Sequence, residues 1–120
     1  MVHLHLLPEY KDDRGVLTPM DFHEFPFEPK RIFYVYDVPK DTVRAEHTHK
    51  TASVALVCMN GSFLVECEQK GNVMQVLLSH PRECLEIPPG VWHRIVSKSD
   101  NSILMVVASE PYNKDEYEAE

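Results

Sequence analysis

Three histidines dominate the chemistry open to this 120-residue chain. His47 and His49 stand two apart in Arg44-Ala45-Glu46-His47-Thr48-His49-Lys50, and His93 closes Ile87-Pro88-Pro89-Gly90-Val91-Trp92-His93. On a β-strand that i, i+2 spacing points both imidazoles to one face. If the strand after the Pro-Pro-Gly turn packs beside them, all three imidazoles converge. Such a cluster can bind a metal or move protons, because imidazole is both a zinc ligand and a base that titrates near neutrality.

The ligand set bears on that choice. The two segments together resemble the paired motifs of a cupin, which implies a small β-barrel around the histidines. A metal-binding cupin usually adds a carboxylate four to six residues beyond the second histidine. Here Thr51, Ala52, Ser53, Val54 and Ala55 fill that region. Glu46 alternates to the face opposite His47 and His49. Three neutral histidines can still hold zinc with one open position. The residues therefore leave both chemistries open, and the missing carboxylate weighs towards proton transfer. His3, His5, His23 and His80 lack such neighbours and read as surface or hydrogen-bonded groups.

Other side chains could serve the same pocket. Tyr36 lies on the preceding strand, and its phenol could donate to an oxygen on which charge develops. A core aromatic with a satisfied hydroxyl is the plainer reading. Arg14 and Arg44 are candidates for phosphate or sugar oxygens, which a guanidinium fork binds in two places; a solvated turn arginine is the competing reading. Arg94 follows His93 and could face the pocket or solvent. Trp92 could stack on a base or pack the mouth of the barrel.

The elements that must position these groups are strands. Val2 to Leu7 alternates; Lys11-Asp12-Asp13-Arg14-Gly15 turns into a short strand from Val16; and Pro19, Pro26 and Pro29 break the next stretch. Arg31 to Val38 is rich in aromatic and β-branched residues. Further strands are expected at Ser53–Met59, Ser62–Glu68, Val73–Leu78, Cys84–Ile87, His93–Ser97 and Ile103–Ala108. Asn60-Gly61, Lys70-Gly71-Asn72 and Ser99-Asp100-Asn101 make the turns between them. Eight or more short strands at this spacing predict an all-β sandwich or barrel. Lys114 to Glu120 alone reads as helical, with Asn113 as its N-cap.

Composition narrows the partners. A chain of this length supports one domain, 1–120. The formal net charge of −7 opposes a nucleic-acid groove, which needs a basic surface. It leaves room for a nucleotide ligand, since a few local arginines suffice for one pyrophosphate. No apolar stretch is long enough for a membrane helix, and no signal peptide is evident. Cys58, Cys67 and Cys84 form neither a C-x-x-C pair nor an even set, so a disulfide framework is not expected and the compartment reads as cytoplasmic.

One family resemblance draws these segments together. Asp13-Arg14-Gly15-Val16-Leu17, Lys30 to Pro39, His47-x-His49-Lys50, Asn60-Gly61-Ser62, Ile87 to His93, Val107-Ala108-Ser109 and Tyr112 to Tyr117 occur in order. This ordered set resembles the WxcM-like cupins that act as dTDP-4-keto-6-deoxyglucose 3,4-ketoisomerases. The resemblance implies a cytoplasmic cupin, that is, a double-stranded β-helix or jelly-roll barrel, assembled as a homodimer. It also implies no metal and no cofactor, and a dTDP-linked keto-sugar substrate in the biosynthesis of unusual deoxy and amino sugars.

By match to the second histidine of the family motif, His49 is the expected carbon base. His47 moves a proton between sugar oxygens or orients the substrate, and the family pattern favours Tyr36 over Tyr34 as the phenol. Arg14, Arg44, Trp92, His93 and Arg94 are the expected substrate contacts. Three departures from the family pattern stand out: Ala45 replaces the usual glycine, Thr48 the usual alanine, and the usual Glu or Gln after His49-Lys50 is absent. Ala45 is expected to alter the backbone that carries Arg44. The competing functions are a nucleotide-keto-sugar epimerase, a metal-dependent cupin oxygenase and a non-catalytic sugar-nucleotide-binding cupin.

Overall fold

The structure, a computed structural model, describes residues 1–119 and the side chains of residues 1–115. Twelve strands run in chain order: β1 His3–Leu6, β2 Tyr10–Asp12, β3 Gly15–Leu17, β4 Arg31–Val38, β5 Val43–His49, β6 Val54–Asn60, β7 Phe63–Gln69, β8 Asn72–Leu78, β9 Glu83–Ile87, β10 Trp92–Ser97, β11 Ser102–Ala108 and β12 Tyr117–Ala119. They form two five-stranded antiparallel sheets, ordered β1-β9-β6-β11-β4 and β12-β5-β10-β7-β8, and a separate β2–β3 hairpin. The two large sheets face each other as a jelly roll.

Alternation decides which side chains enter the space between them. Phe63, Val65 and Cys67 of β7 are buried, while Leu64 and Glu66 between them are less so. Val54, Leu56 and Cys58 of β6 join Phe63, Val65, Leu85, Ile87, Leu104 and Val106 in the main core. The strand β6 is apolar on both faces, as expected of a central strand covered on both sides. Its other face, Ala55 and Val57, joins Cys84 and Val107 in a second cluster, roofed by Leu7, Met20, Phe25 and Phe27. The proline-broken stretch before β4 thus serves as the outer cover of one sheet.

The expected carboxy-terminal helix is reduced to one 3-10 turn, Lys114–Glu116, and the chain then extends as β12 against β5. Asn113 does cap the turn: its Oδ1 accepts from the Asp115 amide at 3.0 Å. A segment this short is a marginal helix in isolation, whereas the edge of β5 offers a ready ladder. Glu120 lies outside the described residues.

Candidate active site

The histidine strand and its neighbour meet as the spacing required. Strand β10 runs between β5 and β7, and His93 stands directly opposite His47. The Pro-Pro-Gly turn is fixed to the same place: the Gly90 amide donates to the His49 carbonyl at 2.9 Å. Gly90 has φ +86, a conformation that only glycine adopts without steric cost. The turn therefore delivers His93 beside the pair. Ring centroids lie 4.9 Å apart for His47–His49, 5.1 Å for His47–His93 and 5.5 Å for His49–His93.

These rings line a cavity of about 300 Å³ between the sheets. One wall carries His47, His49, His93, Arg44 and Ala45; the other carries Phe33, Val35, Leu56, Leu104 and Val106, with Arg31 on the same strand as Phe33. An apolar wall facing a few convergent polar groups is the usual form of a small-molecule site. Among the described residues two guanidinium groups and no carboxylate line it, so the cavity favours an anionic ligand.

Burial sets the protonation of the imidazoles. Desolvation holds His47 below the ordinary histidine value. His93, 2% exposed, is pushed down to about 3, first by desolvation and then by the neighbouring His47 and His49. His93 is thus neutral at any working pH, and its Nδ1 lies 3.5 Å from the Val91 carbonyl oxygen, a long contact. Burial thus favours the unprotonated form of His47 and, more strongly, of His93. Ligand atoms of the three histidines lie within 4.8 Å of one another, so they could hold a divalent cation. The neighbouring Arg31 and Arg44, and the lack of a lining carboxylate among the described residues, act against one.

The structure brings His47, His49, His93 and Arg44 together, and places four expected contacts elsewhere. Tyr36 shares the outer face of β4 with Ile32 and Tyr34 and is 63% exposed; Arg31, Phe33 and Val35 occupy the inner face. Trp92 and Arg94 alternate with His93 and so leave the cavity. Arg94 pairs instead with Glu66, its Nε 2.9 Å from Oε1. The indole Nε1 of Trp92 is buried without a hydrogen-bond partner. Arg14 sits on the projecting β2–β3 hairpin, its side chain 87% exposed and bound to Asp12 at 2.6 Å. None of these four lines the cavity.

Arg31 is the residue that sequence reasoning missed. Its guanidinium carbon lies 4.3 Å from the Phe33 ring centroid and 5.2 Å from that of Tyr112, within cation–π range. The available signal was its parity with Phe33 and Val35.

A jelly roll with a histidine cluster on one wall of its inter-sheet cavity is a cupin. The chain belongs to the FdtA family described as WxcM-like, C-terminal, which matches residues 1–120. It is 33% identical over 107 residues to the TDP-4-oxo-6-deoxy-alpha-D-glucose-3,4-oxoisomerase of Aneurinibacillus thermoaerophilus, covering 88% of this chain and 77% of that one. The sugar 3,4-ketoisomerase QdtA of Thermoanaerobacterium thermosaccharolyticum, solved with TDP, superposes with a TM-score of 0.94 at 32% identity, over 99% of this chain and 88% of its own. A mutant of QdtA solved with TDP-4-keto-6-deoxyglucose superposes equally well, with a TM-score of 0.94 at 31% identity, over 99% of this chain and 87% of its own.

Proposed function

We infer that this protein is a sugar-nucleotide 3,4-ketoisomerase acting on dTDP-4-keto-6-deoxyglucose. The observation that carries the reading is the cluster of His47, His49 and His93 in a cavity that Arg31 and Arg44 also line, with no carboxylate among the described residues, in a chain of the ketoisomerase family. The relatives that bind TDP and TDP-4-keto-6-deoxyglucose support the substrate.

The chemistry follows from what these groups can do. His49 takes the proton from C3 of the 4-keto sugar, and the electron pair moves through C3–C4 onto the C4 oxygen as an enediolate. Arg31 and Arg44 make the cavity electropositive: Arg31 favours this anion, and Arg44 the diphosphate. His47 carries the O3 proton to O4, so the ketone forms at C3 while a proton is returned to C4. Nothing is gained or lost overall, and no metal or redox cofactor enters the proton balance. His93 stays neutral, holds the other two rings in place and offers a hydrogen bond to the sugar. Incubation of the protein with dTDP-4-keto-6-deoxyglucose, followed by NMR, tests the reading: a 3-keto isomer is expected, and unchanged substrate would refute it.

Assembly as a homodimer completes the proposal. The β2–β3 hairpin exposes Tyr10, Val16 and Leu17, and the outer edge of β4 exposes Ile32, Tyr34 and Tyr36. An isolated two-stranded hairpin is marginal in water, so a second copy is the natural cover for these surfaces. In such a dimer Arg14 and Tyr36 would belong to the interface. Strand β1 forms the edge of its sheet beside β9, where an exposed edge invites pairing. Among the described residues no helix is long and apolar enough to cross a membrane, and Cys58, Cys67 and Cys84 are free thiols. Both observations accord with a cytoplasmic enzyme that supplies keto-sugars for deoxy- and amino-sugar biosynthesis, including the lipopolysaccharide O-antigen.

A further inference from the structure

Strand β5 reaches the cavity by an irregular path. Opposite β10, His47 pairs with His93, Ala45 with Arg94 and Arg44 with Ile95, so Glu46 is an extra residue with no counterpart. Ala45 has φ +72 and Glu46 φ +59. Two successive non-glycine residues thus occupy the left-handed region, which L side chains enter at a cost. The bulge changes the parity of the strand. In an unbroken strand Arg44 would lie on the face opposite His47 and His49. With one residue absorbed, Arg44 stands beside Ile95, whose side chain enters the cavity, and lines that cavity with the histidines. Glu46 itself is exposed and does not line it.

We propose that the left-handed Ala45–Glu46 bulge is a positioning device. It turns Arg44 onto the histidine face, where the guanidinium meets the diphosphate while His47 and His49 keep their places. This rests on the reading of Arg44 as a diphosphate ligand. The device depends on backbone conformation at position 46, because that side chain touches nothing in the cavity. A β-branched residue there disfavours the left-handed form, drives β5 towards an extended strand and turns Arg44 outward. Glycine there leaves the bulge intact.

Steady-state kinetics with dTDP-4-keto-6-deoxyglucose, together with calorimetric binding of TDP, tests the device in Glu46→Gly, Glu46→Val, Arg44→Ala and the Arg44→Ala/Glu46→Val double variant. All position-46 variants remove the same carboxylate, so differences among them report backbone. Glu46→Val should raise KM about tenfold with kcat nearly unchanged, matching Arg44→Ala, as expected for loss of a charged hydrogen bond. Glu46→Gly should keep the native KM, and Glu46→Val should add nothing in the Arg44→Ala background. If Arg44→Ala raises KM and Glu46→Val does not, the positioning role is wrong while the role of Arg44 stands. If Arg44→Ala changes neither KM nor TDP affinity, the diphosphate reading fails first. Should Glu46→Val not fold, Glu46→Asn, which tolerates the left-handed region, must retain KM better than Glu46→Ala; equal values would overturn the proposal.

Discussion

The Gly90 amide donates to the His49 carbonyl at 2.9 Å, so the turn that delivers His93 is hydrogen-bonded to the residue assigned as the base. The contact lies on the backbone, which leaves the His49 imidazole to the cavity. His49 is 7% exposed and lines the cavity.

His49→Asn should lower turnover at least about a hundredfold, the low end for loss of a general base, with TDP binding nearly unchanged. Steady-state assay and calorimetry on the same preparation check both halves. A variant that keeps more than about a tenth of the activity would remove His49 from proton transfer.

Metal removal should leave the enzyme active. Arg31 and Arg44 beside His47, His49 and His93, with no carboxylate lining the cavity among the described residues, disfavour a dication. Protein dialysed against chelator is expected to retain its rate. Loss of activity followed by recovery with zinc, iron or manganese would make His47, His49 and His93 ligands instead.

Stability should fall as the solution is acidified from pH 7 to pH 5. The unfolded chain takes a proton at His93 near the ordinary value, whereas the folded protein refuses it down to about 3. The stabilisation is therefore complete above about pH 6.5 and drains away as pH falls towards 3. One such group contributes a loss of about 2 kcal/mol between pH 7 and 5; His47, held down by burial, adds in the same direction. Urea titrations at the two pH values measure it, and His93→Gln should flatten the dependence. Equal stability at pH 5 and 7 in the native chain would contradict the buried neutral histidine.

In solution the chain should be a dimer of about 28 kDa, twice the 13.9 kDa chain mass. Deletion of residues 1–7 removes edge strand β1 and should weaken it. Light scattering that finds a monodisperse monomer at micromolar concentration would refute the assembly.

The histidine cluster was legible because its two ingredients are local: an i, i+2 pair on a strand, and a Pro-Pro-Gly turn ending in His93. Strands such as β4 and β6 could be read within about a residue of their ends from β-branched runs and turn glycines. The face of β4 could not. Ile32, Tyr34 and Tyr36 form as bulky a set as Phe33 and Val35, so alternation does not say which set is inside, nor that Arg31 faces the cavity and Tyr36 does not. Arg44 reaches the cavity only through the bulge at Ala45 and Glu46, which strand alternation does not record. For Trp92 and Arg94 the open choice of face is decided by parity with His93, which points both away from the cavity. The tail was misread because its acidic residues suit a helix, while pairing with β5 is a long-range choice that local preference does not record.

The most direct test is carbon-bound proton exchange in deuterated water. When dTDP-4-keto-6-deoxyglucose is converted there by the native enzyme, NMR should show deuterium at C4 of the 3-keto product, and neither product nor exchange with His49→Asn. Product that carries no solvent deuterium at C4, or equal exchange by the His49 variant, would contradict a solvent-exchanging enediolate route based on His49.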